Sequence, residues 1–264
     1  MKINFATAIQ AAVEAGKAIL DVYGKDDFEI ESKSDQSPLT LADRKAHEII
    51  VSALQETEIP ILSEEGQSIP YMNRSWWEQF WLVDPLDGTK EFIKRNGEFT
   101  VNIALVKEGK SVFGVVFAPV INQLYIGDPV RGAFLCTDPR HYQQPLDYLL
   151  QFSEKLPLKH PDKHIFRVVA SRSHFNEETR TFIQGMDTGG RKVSLVNRGS
   201  SLKICMVATG EADVYPRLGP TMEWDTAAAH AVVKATGRNI YLAENGLEME
   251  YNKENLLNPY FVVR

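Results

Sequence analysis

The chain has 264 residues, of which 44% are hydrophobic and 24% charged, so it contains enough apolar material for a sizeable core. Its formal net charge of −6 argues against nucleic acid as a macromolecular partner, because such binders usually present a basic surface. The two cysteines, Cys136 and Cys205, are too few and too far apart for a disulfide framework. We find neither a signal-peptide pattern nor an apolar run long enough for a transmembrane helix, and we expect a cytoplasmic protein.

The first half of the chain predicts helices that lead into an antiparallel sheet. Apolar residues recur three to four apart over residues 4–22, which indicates an amphipathic helix. Thr40 suits the N-cap of a second helix. The runs IPILSEE and FWLVD predict strands that end in acidic residues. From Phe99 to Cys136 the alternating pattern, broken at plausible turns, indicates an antiparallel meander.

The second half predicts alternating strands and helices. Residues 137–163 are polar and contain four prolines, which makes them the best candidate for a connection between halves. We therefore predict two layered subdomains. The first, residues 1–160, is α+β and carries most of the candidate metal ligands. The second, residues 161–264, is α/β.

Three acidic residues follow predicted strands closely. Glu64, Asp84 and Asp87 lie at or just after the ends of apolar runs, where ligand sites gather in layered sheets. Carboxylates are hard oxygen donors that suit Mg²⁺ and Mn²⁺. In DPLDG, a tight turn can direct both Asp side chains and the Leu86 carbonyl to one point. Turn statistics alone favour a solvated loop, but the preceding apolar run favours a buried edge.

A fourth candidate acid is Asp225, in EWDTAAAHAVV. We predict that it lies in the first turn of an Ala-rich helix, where the helix dipole by itself would favour an acid. The small residues that follow indicate close packing. A buried Asp needs a partner, and a metal ion would supply one.

Two motifs connect these acids to a known family. The segments DPLDGT at 84–89 and WDTAA at 224–228 resemble the two signatures of the lithium-sensitive, Mg²⁺-dependent phosphatases. That superfamily includes inositol monophosphatase, fructose bisphosphatase and the bisphosphate nucleotidases. The segments TLAD at 40–43 and SEE at 63–65 also resemble it. The resemblance covers nearly the whole chain and implies a layered αβαβα sandwich.

The resemblance also implies roles for individual residues. It gives the metal ligands as Glu64, Asp84, the Leu86 carbonyl, Asp87 and Asp225, which would hold two to three Mg²⁺ ions, with Mn²⁺ as an alternative. It pairs Asp43 with Thr89 to orient and deprotonate the attacking water. Without the resemblance, Asp43 would be interpreted as a helix-entry acid and Thr89 as a turn hydroxyl. Inhibition by lithium and calcium is a further implication.

The C-terminal half resembles the bacterial 3′(2′),5′-bisphosphate nucleotidase branch, through VVASRSHF, GSSLKICMVATG and LNPYFVV. This resemblance implies hydrolysis of adenosine 3′,5′-bisphosphate (PAP) to AMP and phosphate, and action on its sulfated analogue PAPS. The implied substrate contacts are Glu64, Leu86, Asp87, Gly88, Thr89, His174, Ser200, Lys203, Arg217 and Asp225.

Some of these contacts also suit an anion on chemical grounds. Ser200 opens a predicted helix, where free N–H groups attract phosphate, and Lys203 lies in its first turn. The planar fork of Arg217 suits a phosphate. Taken singly, each has an ordinary alternative: a helix cap for Ser200 and a solvated charge for Lys203 or Arg217.

Two other functions stay open from the sequence. An inositol monophosphatase would use the same chemistry on a different phosphate ester. A non-catalytic metal- and nucleotide-binding regulatory protein would keep the ligands without turnover. The oligomeric state is open, and a peripheral position on the cytoplasmic face of the inner membrane is the alternative to a free cytoplasmic protein.

Overall fold

The computed structural model describes residues 5–25, 30–32, 38–128, 130–159, 162–170 and 176–264. The helices are α1 (Phe5–Tyr23), α2 (Leu41–Gln55), α3 (Tyr71–Arg74), α4 (Thr89–Ile93), α5 (Leu146–Gln151), α6 (Glu177–Gln184), α7 (Leu202–Thr209) and α8 (Ala227–Lys234). The strands are β1 (Ile30–Ser32), β2 (Pro38–Thr40), β3 (Ile61–Ser63), β4 (Gln79–Asp87), β5 (Thr100–Lys107), β6 (Lys110–Ala118), β7 (Gln123–Asp128), β8 (Gly132–Cys136), β9 (Glu154–Lys155), β10 (Ile165–Val169), β11 (Lys192–Val196), β12 (Tyr215–Arg217), β13 (Ile240–Leu242) and β14 (Phe261–Val263). Within those ranges, no helix combines the length and apolar character needed to cross a membrane.

The main sheet has the order β3-β4-β5-β6-β7-β8-β9. β3 runs parallel to β4, and the remaining neighbours are antiparallel. The meander predicted from Phe99 to Cys136 is therefore confirmed as β5–β8. The Pro-rich segment 137–163 does more than connect two halves, because it supplies α5 and then β9, which pairs with β8 at the sheet edge.

The main sheet is buried on both faces. In β4, Trp81 and Val83 face α1 and α2, whereas Phe80 and Leu82 belong to the core on the opposite face. This alternation follows from the two-residue period of a strand. Because helices cover both faces, each central strand is nearly continuous in apolar residues, and this explains why FWLV lacks a polar side.

A second sheet lies beyond α7 and α8. β10 and β11 pair in parallel, Val168 bridges to Val214 next to β12, and β12-β14-β13 continues antiparallel. The apolar side chains Phe166, Ile183 and Val262 form a small core between this sheet and α6. The layers run α1/α2, main sheet, α7/α8, second sheet, α6. The predicted αβαβα sandwich is thus confirmed.

The core between the sheets combines both parts of the chain. It contains Leu82 and Val116 from the main sheet together with Leu202 and Val232 from α7 and α8. The division into subdomains at residue 160 stays a prediction, and this shared core crosses it.

Helix α8 lies unusually close to the main sheet. A Cβ added at Gly114 would lie 2.1 Å from the carbonyl oxygen of Ala228, and one at Gly127 would lie 2.5 Å from the carbonyl carbon of Ala231. Neither position has room for a side chain, so glycines in the strands and alanines in the helix permit this contact. The close packing fixes the start of α8, where the chain arrives from Asp225.

Candidate metal and anion site

Three of the predicted acids meet at one point. Glu64 follows β3, Asp84 lies in β4, and Asp225 ends a short 3₁₀ turn, Glu223–Asp225. One carboxylate oxygen of each lies within 4.8 Å of the others. Asp225 differs from the sequence expectation, because it precedes α8 instead of lying in the helix's first turn. Its Oδ2 accepts the backbone N–H of Met222 at 2.8 Å, which fixes the turn.

Negative charge is costly in this cluster, because Asp84 is buried and Glu64 and Asp225 are half-buried beside it. Burial, followed by the charges of Glu64, Asp87 and Asp225, raises the pKa of Asp84 well above its ordinary value. Burial and the Asp87 charge likewise raise the pKa of Asp225. A divalent cation would relieve both the desolvation and the repulsion. The donor set, entirely carboxylate oxygens, fits a hard ion such as Mg²⁺.

Asp87 lies beside this cluster, and hydrogen bonds from neighbouring residues converge on one oxygen of its carboxylate. The Oδ2 atom accepts the backbone N–H and the Oγ–H of Ser201, both at 2.7 Å. It also accepts the Ser200 hydroxyl and, at 3.3 Å, the Asn102 side-chain amide. Asp87 is near enough for its charge to raise the pKa values of Asp84 and Asp225.

The segment DPLDGT forms a turn that presents both backbone and side-chain groups. The N–H of Leu86 donates to Asp84 Oδ1 at 3.1 Å. Gly88 has φ of 95°, a conformation that glycine adopts without strain, and it turns the chain into α4. The Thr89 hydroxyl returns toward the turn, with its Oγ1 3.5 Å from the Leu86 carbonyl oxygen.

Asp43 and Thr89 face each other across this turn. The Thr89 hydroxyl donates to Asp43 Oδ1 at 3.3 Å. The other oxygen, Asp43 Oδ2, accepts the Thr40 backbone N–H at 2.8 Å and the Thr40 hydroxyl, which completes a capping box at the start of α2. Asp43 is therefore a helix-entry acid that also contacts Thr89. The two interpretations offered by the sequence are compatible.

A cavity of about 320 Å³ is lined by two of the predicted acids, Asp87 and Asp225, and by the basic side chains of Lys90, Lys203 and Arg217. Lys203 lines it, and burial lowers the pKa of its ammonium group to about 8. Arg217 is 8% exposed, and its Nη2 donates to the Pro220 carbonyl at 2.7 Å. Its buried Nε has no hydrogen-bond partner among the described residues. A buried donor without a partner is rare and indicates a missing acceptor.

Three of the other predicted substrate contacts line the same cavity, and one lies outside the described residues. Gly88, Thr89 and Ser200 line the cavity with the basic residues. The Ser200 hydroxyl, however, bonds to Asp87 and to Thr100 Oγ1, the latter at 2.6 Å. His174 lies outside the described residues.

Sequence reasoning missed the residues that hold Asp87. Asn102 and Thr100 are buried on β5, and Ser201 is buried at the start of α7. The available signal was the polar pair in the otherwise apolar run FTVNIALV, because a buried polar side chain needs a partner.

Comparison with models of protein families shows the family to which the chain belongs. The model of the inositol monophosphatase family matches residues 3–259. The chain belongs to this family. An Escherichia coli K12 protein named 3′(2′),5′-bisphosphate nucleotidase CysQ is 42% identical over 258 residues, with 96% of each chain covered.

Solved structures agree with this family membership. The chain is similar to CysQ from Bacteroides thetaiotaomicron, with a TM-score of 0.88, 49% identity and coverage of 97% and 95% of the two chains. The extragenic suppressor protein SuhB from Bartonella henselae has a TM-score of 0.74 at 23% identity, covering 97% and 91%, and shows the shared fold.

The crowded carboxylates predict an unusual stability effect. An acid whose pKa is raised by folding contributes stability below its unfolded pKa and loses it as the pH rises toward the folded value. At pH 7.5 in chelator, Asp84→Asn should therefore raise the melting temperature, by about 3 °C if about 1 kcal/mol of repulsion is removed. The same substitution should reduce the further stabilisation by Mg²⁺. Thermal unfolding with and without Mg²⁺ measures both effects.

Asp128→Asn is the matched control, because Asp128 is buried but paired with Arg131 at 3.1 Å. It should lower the melting temperature in chelator. Equal losses of stability in the two variants would contradict the proposed repulsion.

Proposed function

We propose that this protein is a Mg²⁺-dependent 3′(2′),5′-bisphosphate nucleotidase that hydrolyses PAP to AMP and phosphate. The observation that carries the proposal is a cavity lined by the acids Asp87 and Asp225 and by the basic side chains of Lys203 and Arg217, with Asp225 also belonging to the acidic cluster. An acidic cluster alone would repel a phosphate. Cations held by the acids would attract the scissile phosphate, while Lys203 and Arg217 would bind a second anionic group.

The ligands proposed for the metal ions are Glu64, Asp84, the Leu86 carbonyl, Asp87 and Asp225. When bound, Mg²⁺ stabilises charge on the phosphate and lowers the pKa of a coordinated water. The backbone is suited to this arrangement. The N–H of Leu86 donates to one Asp84 oxygen, and the Leu86 carbonyl oxygen lies 3.5 Å from Thr89 Oγ1.

Thr89 and Asp43 are the proposed proton acceptors. Because the Thr89 hydroxyl hydrogen points to Asp43 Oδ1, a lone pair of Thr89 Oγ1 can accept a hydrogen bond from water. The pair would orient that water for attack on phosphorus and take its proton. Thr40 holds the other Asp43 oxygen, which keeps the carboxylate directed at Thr89.

The nucleotide specificity rests on the basic side of the cavity. Two positive side chains, Arg217 and Lys203, line the cavity, and the Arg217 Nε has no hydrogen-bond partner among the described residues. Inositol phosphate has a single phosphate, which the metal ions would bind, so it would leave these two side chains without an anionic partner. PAP carries a second phosphate that can pair with them. The Escherichia coli relative, a 3′(2′),5′-bisphosphate nucleotidase, supports the same substrate class.

Several finer properties belong to this proposal. We propose two to three Mg²⁺ ions with Mn²⁺ as a substitute, PAPS as an additional substrate, and inhibition by lithium. We also propose a cytoplasmic location and a role in sulfur metabolism. His174 is proposed as a further nucleotide contact.

A substrate panel tests the function. Phosphate release is measured with PAP, PAPS and inositol 1-phosphate, each with Mg²⁺ and with excess chelator. We expect the highest kcat/KM with PAP and no release in chelator. Faster hydrolysis of inositol 1-phosphate would favour an inositol monophosphatase, and nucleotide binding without release would favour a regulatory protein.

Thr89→Val tests the proton acceptor. It removes the hydroxyl and keeps the side-chain shape, so kcat for PAP should fall about 100-fold or more, the usual range for loss of general base catalysis. Mg²⁺ affinity should change little. Thr236→Val is the control, because that hydroxyl donates to the Val233 carbonyl at the C-terminal end of α8. A wild-type kcat in Thr89→Val would remove the residue from the mechanism.

Arg217→Gln tests the second anion subsite. Loss of a charge-assisted hydrogen bond worth about 2 kcal/mol should raise KM for PAP roughly 30-fold. The kcat/KM for p-nitrophenyl phosphate, which has a single phosphate, should stay within about threefold by the same reasoning. Arg180→Gln, an exposed arginine on α6, is the matched control. Equal losses on both substrates would contradict a separate subsite.

A further inference from the structure

A buried network of polar side chains surrounds the Oδ2 atom of Asp87. Asn102 and Thr100 from β5 are at most 1% exposed, and Ser201 at the start of α7 is 3% exposed. The Asn102 amide donates to Ser201 Oγ at 2.9 Å and to Asp87 Oδ2 at 3.3 Å. Thr100 Oγ1 lies 3.1 Å from Asn102 Oδ1 and 2.6 Å from Ser200 Oγ, and its one proton can be donated to either. This network connects a strand of the main sheet to α7 through the Asp87 carboxylate.

The donors converge on one oxygen of that carboxylate. Asp87 Oδ2 accepts the bonds from Ser200, Ser201 and Asn102, and each of these donors is directed at Oδ2 and not at Oδ1. Hydrogen bonds that saturate one oxygen fix the rotation of the carboxylate. They leave the second oxygen as the available ligand atom.

Ser201 also contacts the segment of Asp225. Its Oγ lies 2.7 Å from the Asp225 backbone oxygen as well as 2.7 Å from Asp87 Oδ2. One small side chain thus touches the carboxylate of one predicted metal ligand and the backbone of another. Its removal would loosen the spacing between these two ligands.

The backbone on either side of the network has little freedom. A Cβ at Gly199 would lie 2.6 Å from the Glu98 carbonyl oxygen, so the segment lies directly against the chain that enters β5. Ser200 has φ of 54°, a left-handed conformation that is unfavourable for a residue other than glycine. Such a conformation persists where surrounding contacts enforce it, and here those contacts end on Asp87.

We propose that Asn102 and Ser201 are positioning residues that set the metal affinity of the site through Asp87. The proposal rests on the metal-dependent function proposed above. Each acts through the orientation of the Asp87 carboxylate, which Asn102 and Ser201 both contact at Oδ2. Without them, Asp87 would sample orientations that do not reach the ion, and part of the binding free energy would be spent on ordering it.

Metal titration without nucleotide tests this proposal. The variants are Asn102→Ala and Ser201→Ala, and the readout is the dissociation constant for Mn²⁺, measured from free Mn²⁺ by electron paramagnetic resonance. Loss of a hydrogen bond behind a metal ligand typically weakens affinity by about 10- to 100-fold, and we expect this in both variants.

Thr209→Val is the matched control. It deletes a buried hydroxyl at the opposite end of α7, where Thr209 donates to the Met206 carbonyl at 3.1 Å. Its Mn²⁺ affinity should stay within about twofold of wild type, because Thr209 does not contact a ligand. Thermal unfolding in chelator establishes which variants are folded. Ser201→Ala, the smaller change, decides the outcome if Asn102→Ala does not fold.

A second readout separates positioning from a general structural defect. Raising the metal concentration should restore the kcat of Ser201→Ala with PAP to within about threefold of wild type, since the reacting groups are intact. Folded variants with Mn²⁺ affinity equal to that of Thr209→Val would overturn the proposal, as would a kcat that saturating metal does not restore. A wild-type protein that binds Mn²⁺ but does not hydrolyse PAP would overturn only the proposed function.

Discussion

The repulsion among buried carboxylates is the constraint on which the site depends. Glu64, Asp84 and Asp225 bring ligand oxygens within 4.8 Å of one another, and burial raises the pKa values of Asp84 and Asp225. A protein core does not keep such a cluster for stability, because each charge loses hydration and lies close to other negative charges. The arrangement is understandable as a cation site. The fold supplies the rigidity that holds the acids together before an ion arrives.

That rigidity comes from both sheets and the helices between them. The glycines of β6 and β7 let α8 approach closely, and this fixes the turn that carries Asp225. The irregular C-terminal end of β4, where the register shifts, places Asp84 and Asp87. The buried polar network joins Asp87 to the start of α7. The same helix carries Lys203 into the cavity. The candidate metal ligands and the candidate nucleotide contacts therefore share their supporting structure, so a substitution that moves one set can also displace the other.

Much of this arrangement could be predicted from the sequence. The meander and the cap at Thr40 follow from periodicity and capping, and the layered αβαβα sandwich follows from the family resemblance of DPLDGT and WDTAA. The predicted turn in DPLDG is narrower in the structure, because β4 continues to Asp87 and only Gly88 separates it from α4. The sequence predicts Asp225 inside a helix, because a 3₁₀ turn followed by α8 has nearly the same apolar spacing as one longer helix. Asn102 and Ser201 were missed for a different reason. They are distant in sequence and become partners only when β5 and the start of α7 come together, which no local pattern records.

The most direct measurement of the central claim is anomalous diffraction from crystals grown with Mn²⁺. The account predicts anomalous density among the carboxylates of Glu64, Asp84 and Asp225, with Asp87 approaching it through Oδ1 while Oδ2 keeps its contacts with Ser201 and Asn102. Crystals at saturating Mn²⁺ with no anomalous density at that cluster, or with ions held only elsewhere on the surface, would contradict it.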